Sequence, residues 1–212
     1  MIIYGSSISP YVRKVLAFGS EKDIELESRP LPLGSDDPDF LAISPFRKIP
    51  ALRDGDFGIS DSSAIIAYLD ALRPDPELIP AEPRARARTI WFEEFGDTVL
   101  MGCGRTMFFN RLVAPRFLGR PGDLDAADKA EREELPPILD YLESVIPESG
   151  FLVEDRLTLA DLGVASPFVN LRHIGVDLGA RPKLAAYLDG ILSRPSFKHW
   201  VDRETAFLAR AA

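Results

Sequence analysis

Pro50-Ala51-Leu52-Arg53-Asp54-Gly55-Asp56-Phe57-Gly58-Ile59-Ser60-Asp61-Ser62 is the stretch that decides the fold class. Two short runs with apolar residues flank Asp54-Gly55, and an Asp-Gly pair between such runs signals a tight β-hairpin. Ser60-Asp61-Ser62-Ser63 then supplies side-chain acceptors ahead of Ala64, Ile65, Tyr68, Leu69 and Leu72, an apolar stripe at helical spacing. The hairpin therefore runs straight into a capped helix. Upstream, Met1 to Tyr4 is a short apolar run and Glu25-Leu26-Glu27 alternates as a half-buried strand does. Val12, Val15, Leu16 and Gly19 recur at helical spacing between them. Strand, helix, strand, helix, hairpin and helix in that order predict a small mixed-sheet α/β unit.

Downstream the pattern changes. Residues 73–83 contain four prolines, and proline has no N–H to continue a helix or a sheet ladder. This reads as an interdomain linker, and helical periodicity holds from there to the end. The expected organisation is an α/β domain over 1–75, a linker over 76–83 and an all-α domain over 84–212. Arg84 to about Phe117 is one long helix or two abutting ones. Ala126 to Val145 follows, with Pro136-Pro137 expected to kink it. Thr158 to about Ile174, Lys183 to Leu192 and Phe197 to Ala209 complete the set.

Composition removes several classes of function. The 212 residues carry 25 Lys+Arg against 33 Asp+Glu, a formal charge of −8. An acidic chain is poorly matched to a phosphate backbone, so nucleic acid is not an expected partner. No stretch approaches 18 uninterrupted apolar residues, and the first residues lack a basic n-region followed by an apolar h-region. Neither a membrane nor export is expected, and a cytoplasmic location follows. One cysteine, Cys103, excludes an internal disulfide, and two histidines, His173 and His199, have no ligand-like spacing. No metal is expected.

Four motifs have both a structural and a chemical reading. Ser9-Pro10 is an N-cap followed by a proline at the first helical position. Its hydroxyl can equally serve an anion, such as a thiolate, held at the helix N-terminus. Arg13, one turn on, opposes the helix dipole and so either faces solvent or serves an anion. Ile49-Pro50 is ordinarily trans, but a cis bond would present the Ile49 main chain to an extended peptide. Asp61-Ser62 caps a helix or seats a carboxylate, with Asp61 able to pair an ammonium. Thr158-Leu159-Ala160-Asp161 reads as structural, a capping box with Asp in the place of the usual Glu or Gln. Cys103 between glycines reads as a buried, inert thiol. Trp91, Phe92, Phe95, Met101, Met107, Phe108 and Phe109 read mostly as core.

Tyr4-Gly5, Ser9-Pro10 and Lys14-Val15, then Ser44-Pro45-Phe46-Arg47-Lys48-Ile49-Pro50-Ala51-Leu52, then Asp61-Ser62 and Ala64-Ile65 resemble the soluble glutathione S-transferases of the serine type. Thr158-Leu159-Ala160-Asp161 and Arg194-Pro195-Ser196-Phe197 resemble the family's helical-domain and C-terminal motifs. The resemblance implies a thioredoxin-like N-terminal domain, an all-helical C-terminal domain and a homodimer. It implies glutathione as cosubstrate and a small apolar electrophile as second substrate. By the same resemblance Ser9 is the catalytic hydroxyl. Ile49 and a cis Pro50 bind the cysteinyl part of glutathione, Asp61 and Ser62 hold its γ-glutamyl end, and Lys48 also touches it. Tyr11, Arg105 and Phe108 would line the electrophile pocket, with Arg13 in a supporting role. The chain departs from the family at Ser35 and Asp36, where basic residues would meet the glycine carboxylate. The alternative is a transferase-like binding or assembly module without activity, because fold does not fix function.

Overall fold

The computed structural model describes residues 1–210 and divides into two compact units. The first comprises Met1–Ile79 together with the C-terminal helix, and the second is Pro80–Ser193. The first contains β1 (Ile2–Tyr4), α1 (Pro10–Glu21), β2 (Glu27–Arg29), α2 (Pro38–Ile43), β3 (Ala51–Asp54), β4 (Phe57–Ser60) and α3 (Ser62–Leu72). The strand order is β2-β1-β3-β4, with β1 parallel to β2 and antiparallel to β3. This is the thioredoxin-like mixed sheet. The hairpin forms where the Asp-Gly pair is read, with Gly55 at φ 59°. The second strand lies two residues later than the Glu25–Glu27 alternation suggests.

Alternation along β1 sorts the core. Tyr4 faces α2, packing with Phe40 and Ala51 and against the half-buried Ile49. Ile3 and Leu52 point to the other face, fully buried, where Val12, Val15, Ile65 and Leu69 of α1 and α3 are buried too. Tyr68, on the α3 stripe, instead donates its hydroxyl to Asp54 in the hairpin at 2.8 Å.

The proline-rich stretch is anchored. Buried Lys22 donates to the carbonyls of Arg73, Pro74 and Pro76 at 2.8–3.0 Å and pairs with Asp70 at 2.8 Å. Leu78 and Ile79 are buried as well. A single ammonium thus satisfies carbonyls that proline-interrupted backbone leaves without ladder partners.

The second unit is all helical. Residues 83–117 form one continuous run: α4 (Pro83–Glu94), α5 (Met101–Phe108) and α6 (Ala114–Phe117), joined by π-helical turns at Phe95–Leu100 and Phe109–Val113. A third π turn, Ala130–Glu134, joins α7 (Leu124–Lys129) to α8 (Leu135–Val145). Pro136-Pro137 follows that wide turn in the first turn of α8, so missing N–H groups fall where the ladder is already shifted. Then come α9 (Leu159–His173) and α10 (Pro182–Leu192). The last helix, α11 (Pro195–Arg210), belongs by packing to the first unit, although chain order sets it beyond the helical domain. Its Arg194 and Ser196 both bind Glu21 at the end of α1.

Candidate active site

Sheet register gathers three of the sequence motifs at one edge. Tyr4 pairs with Ala51, and Ala51 pairs with Ser60. The chain leaving β1, the chain entering β3 and the chain leaving β4 therefore emerge side by side. Those segments carry Ser9, Ile49-Pro50 and Asp61-Ser62. Gly5 makes the approach possible: at φ 127°, a Cβ there would lie 3.0 Å from the Ile49 Cβ and 2.8 Å from a Val12 methyl. The Asp61 N–H donates to the Pro50 carbonyl at 3.3 Å, tying the third segment to the second.

Ser9 occupies the N-cap of α1 at φ −70° and ψ 125°, half-buried, with Pro10 following. Its side chain makes no capping hydrogen bond. The Ile49-Pro50 bond is cis. The loop ahead of it is pinned by Ser44, whose hydroxyl donates to the Lys48 carbonyl at 2.7 Å and accepts from the Lys48 N–H at 2.9 Å. The Lys48 side chain is exposed. Asp61 sits at φ 93°, a conformation that costs a non-glycine residue about 1–3 kcal/mol. Its Oδ1 accepts from the N–H groups of Ser63 and Ala64 at 2.9 and 3.1 Å, capping α3. Ser62, beside it, is buried.

A model of the glutathione S-transferase N-terminal domain matches residues 3–77, and one of the C-terminal domain matches residues 119–204. A glutathione S-transferase of Hyoscyamus muticus is 30% identical over 95% of this chain and 98% of its own. Glutathione S-transferase 3 of Zea mays is 31% identical over 94% of this chain and 92% of its own. The chain belongs to the glutathione S-transferase family. Among solved structures, glutathione S-transferase I from maize, in complex with an atrazine glutathione conjugate, aligns at TM-score 0.84 and 26% identity. That alignment covers 95% of this chain and 96% of the maize chain. The transferase reading, rather than the inactive module, follows from relatives that carry that name across nearly the whole length.

The remaining sequence candidates fall in both units. Arg13 serves an anion, and that anion is a glutamate of this chain: the guanidinium is fully buried and bidentate to Glu204 of α11, at 3.0 and 2.8 Å. Of the three electrophile-pocket candidates, Tyr11 lies on α1 of the first unit, and Arg105 and Phe108 lie on α5 of the second. Phe108 is buried there and Arg105 is exposed. Of the aromatic cluster, Phe92, Phe95, Met101 and Met107 are core, while Trp91 is half exposed. Burial pushes the Cys103 thiol up to about 11, so it stays protonated and unreactive at neutral pH. Among the described residues no cluster of His, Cys, Asp and Glu is placed to hold a metal ion, and no helix is long and apolar enough to cross a membrane.

Sequence reasoning missed Arg47. Its guanidinium donates to the Gly34 and Ser35 carbonyls at 3.0 and 3.3 Å and pairs with Asp36 at 2.7 Å. A cation therefore stands where Ser35 and Asp36 lack one, delivered from the next loop. Arg47 holds φ 57° to do so. Only its place two residues before Ile49 could have pointed to it. Glu204 was missed too, because a glutamate late in an amphipathic helix looks like any solvated one.

Proposed function

We propose that Ser9 activates glutathione as a thiolate for attack on a small apolar electrophile. The observation that carries this reading is a serine hydroxyl left out of its own helix cap, at a helix N-terminus, on the sheet edge that also presents Ile49 and Asp61-Ser62. A free thiol of this kind has a pKa of about 8.5, so little is ionised at neutral pH. Lowering it by about two units takes roughly 2.7 kcal/mol. A charge-assisted hydrogen bond of about 1.5–3 kcal/mol and a helix-end contribution of about 0.3–1 kcal/mol supply that. The thiol proton leaves to solvent. The sulfur pair then forms the C–S bond as the electrophile's leaving group departs with its own pair, or as an activated double bond accepts it. Serine donates a hydrogen bond throughout and is never acylated or alkylated.

The remaining ligand contacts divide along the peptide. Ile49 offers its main chain to the cysteinyl part, beside the cis Pro50. Asp61 pairs the γ-glutamyl ammonium, and Ser62 serves its carboxylate. At the glycine end Lys48 provides positive charge, since Arg47 is already paired with Asp36. Because Lys48 is exposed, its ion pair is screened. Lys48→Ala is expected to weaken glutathione binding by roughly twofold to fivefold in a calorimetric titration. The maximal rate at saturating glutathione should stay as in wild type, since that carboxylate is remote from the sulfur. Unchanged affinity would take Lys48 out of the site.

The maize relative's bound atrazine glutathione conjugate supports a small apolar electrophile as the second substrate here. We place the protein in the cytoplasm as a homodimer. Light scattering at micromolar concentration should then give near twice the chain mass of 23.5 kDa, and a monomer mass rejects the dimer. The reading as a whole is tested by retention on immobilised glutathione followed by a rate assay with an aryl halide. Retention with turnover is expected; a protein that passes through unretained and shows no thiol conjugation refutes it.

A further inference from the structure

Arg13 and Glu204 stand 191 positions apart and meet with both side chains buried, at 0% and 2% exposure. Two buried charges are costly unless geometry is good. Here two parallel N–H···O bonds of 3.0 and 2.8 Å make the fork that arginine and carboxylate form best. The same guanidinium has a third task. Its Nη2 donates to the carbonyl of Ile8 at 3.4 Å, the residue directly before Ser9. Meanwhile the Ser9 carbonyl accepts the Arg13 N–H at 3.0 Å, and the Ser9 N–H donates to the Ser6 carbonyl at 3.0 Å. The Arg13 side chain thus reaches the residue before Ser9, its backbone N–H closes the ordinary first turn of α1 on the Ser9 carbonyl, and Glu204 of α11 orients the guanidinium.

The second end of the same helix pair makes the comparison possible. Arg194 and Ser196, at the start of α11, bind Glu21, the last residue of α1, at distances of 2.5–2.8 Å. That contact ties the helices together far from Ser9. The Glu204 contact ties them together at Ser9. If α11 only added stability, the two ends would be equivalent for chemistry.

We propose that Glu204 is a positioning residue for the transferase reaction, acting through Arg13 and the Ile8 carbonyl to aim the Ser9 hydroxyl at the glutathione sulfur. This rests on the reading of Ser9 given above. A lone cation in the first turn of α1 would oppose the helix dipole. Paired with Glu204 it becomes a neutral, rigid bracket instead. The C-terminal helix is then part of the active site without touching substrate.

The test compares Glu204→Gln, Arg13→Lys and Glu21→Gln with wild type. The readouts are thiolate absorbance of bound glutathione against pH and steady-state rates. Glu204→Gln keeps the shape and loosens the fork, and Arg13→Lys keeps the charge and removes it. Both are expected to raise the apparent thiol pKa by roughly half a unit to one unit, and to lower kcat/KM at neutral pH by about 1.5-fold to threefold. KM for glutathione should remain within about twofold, because γ-glutamyl and glycine contacts are untouched. Glu21→Gln should lower the melting temperature yet leave the thiol pKa at the wild-type value. The sign discriminates. Removing the Glu204 charge alone, with Ser9 still aimed, leaves Arg13 uncompensated and would lower the thiol pKa. A fall or no change in Glu204→Gln, or an equal rise in Glu21→Gln, overturns the proposal. If Ser9→Ala leaves the thiol pKa where it is, the Ser9 reading has failed instead. A rise with Ser9→Ala and none with Glu204→Gln or Arg13→Lys refutes the positioning role alone.

Discussion

Asp161→Ala is expected to destabilise the protein by about 3–5 kcal/mol, a large share of the roughly 5–15 kcal/mol that holds a domain folded. Asp161 is fully buried in the helical unit, at the third position of α9. Its Oδ2 accepts from the Thr158 N–H at 2.9 Å and the Thr158 hydroxyl at 3.3 Å. Its Oδ1 accepts from the Leu152 N–H at 2.9 Å and from the Tyr187 hydroxyl at 3.3 Å. Burial pushes the carboxyl up to about 6, and those hydrogen bonds oppose the rise. Two backbone N–H groups and two hydroxyls thus converge on one carboxyl. Alanine strands those donors away from water, and each buried unpaired donor costs about 1–3 kcal/mol, less what relaxation recovers. Thr158→Val removes one hydroxyl and should cost only about 1 kcal/mol. Denaturant midpoints at neutral pH give both numbers. An Asp161→Ala protein within about 1 kcal/mol of wild type would mean that the network contributes specificity without stability.

That residue also shows how far sequence reasoning reaches. The Thr158-to-Asp161 spacing announces a helix start, because a capping box is local chemistry with a fixed offset. The Leu152 and Tyr187 contacts lie 9 and 26 positions away and have no offset to read. The hairpin at Asp54-Gly55 and the stripe of α3 are legible for the same local reason. The three π turns are not, since they have no capping or turn residue at a fixed offset to read. Nor is the grouping of α11 with the first unit, which hangs on Arg194, Ser196 and Glu204 meeting partners at the far end of the chain.

The candidate site divides along the same line. Ser9 and Asp61-Ser62 each carry a local capping signal, whereas the cis bond at Ile49-Pro50 is implied by the resemblance, which puts all three in one group. What brings them together is strand register, Tyr4 beside Ala51 beside Ser60, which no one motif encodes. Arg13 shows the limit from the other side. Its clash with the helix dipole is visible in sequence and calls for an anion. The sequence gives no hint that the anion is a glutamate of the last helix rather than a ligand.

Ser9→Ala is expected to lower kcat/KM by about tenfold to 25-fold at neutral pH, while leaving the fold intact. Serine usually stabilises a helix by bonding its own cap, and losing that bond costs about 0.5–2 kcal/mol. Here the side chain makes no such bond, so alanine forfeits little of it. What it forfeits is the hydrogen bond to the sulfur. If that bond supplies most of a two-unit depression, the apparent thiol pKa of bound glutathione climbs back toward about 8.5. The thiolate fraction at neutral pH then falls by up to about 25-fold, from roughly three-quarters to about 3%, and the rate falls with it. At pH well above that value the thiol ionises unaided, so the variant's deficit should shrink as pH rises. KM for glutathione should move little, because Asp61, Ser62 and Ile49 still hold the peptide. Thiolate absorbance against pH, alongside rates at two pH values, decides the matter. Coincident thiol pKa values in wild type and Ser9→Ala would move the assignment to Ser6 or Ser7, the other hydroxyls of the same loop. A deficit that persists undiminished at high pH would mean that Ser9 acts on bond formation rather than on ionisation.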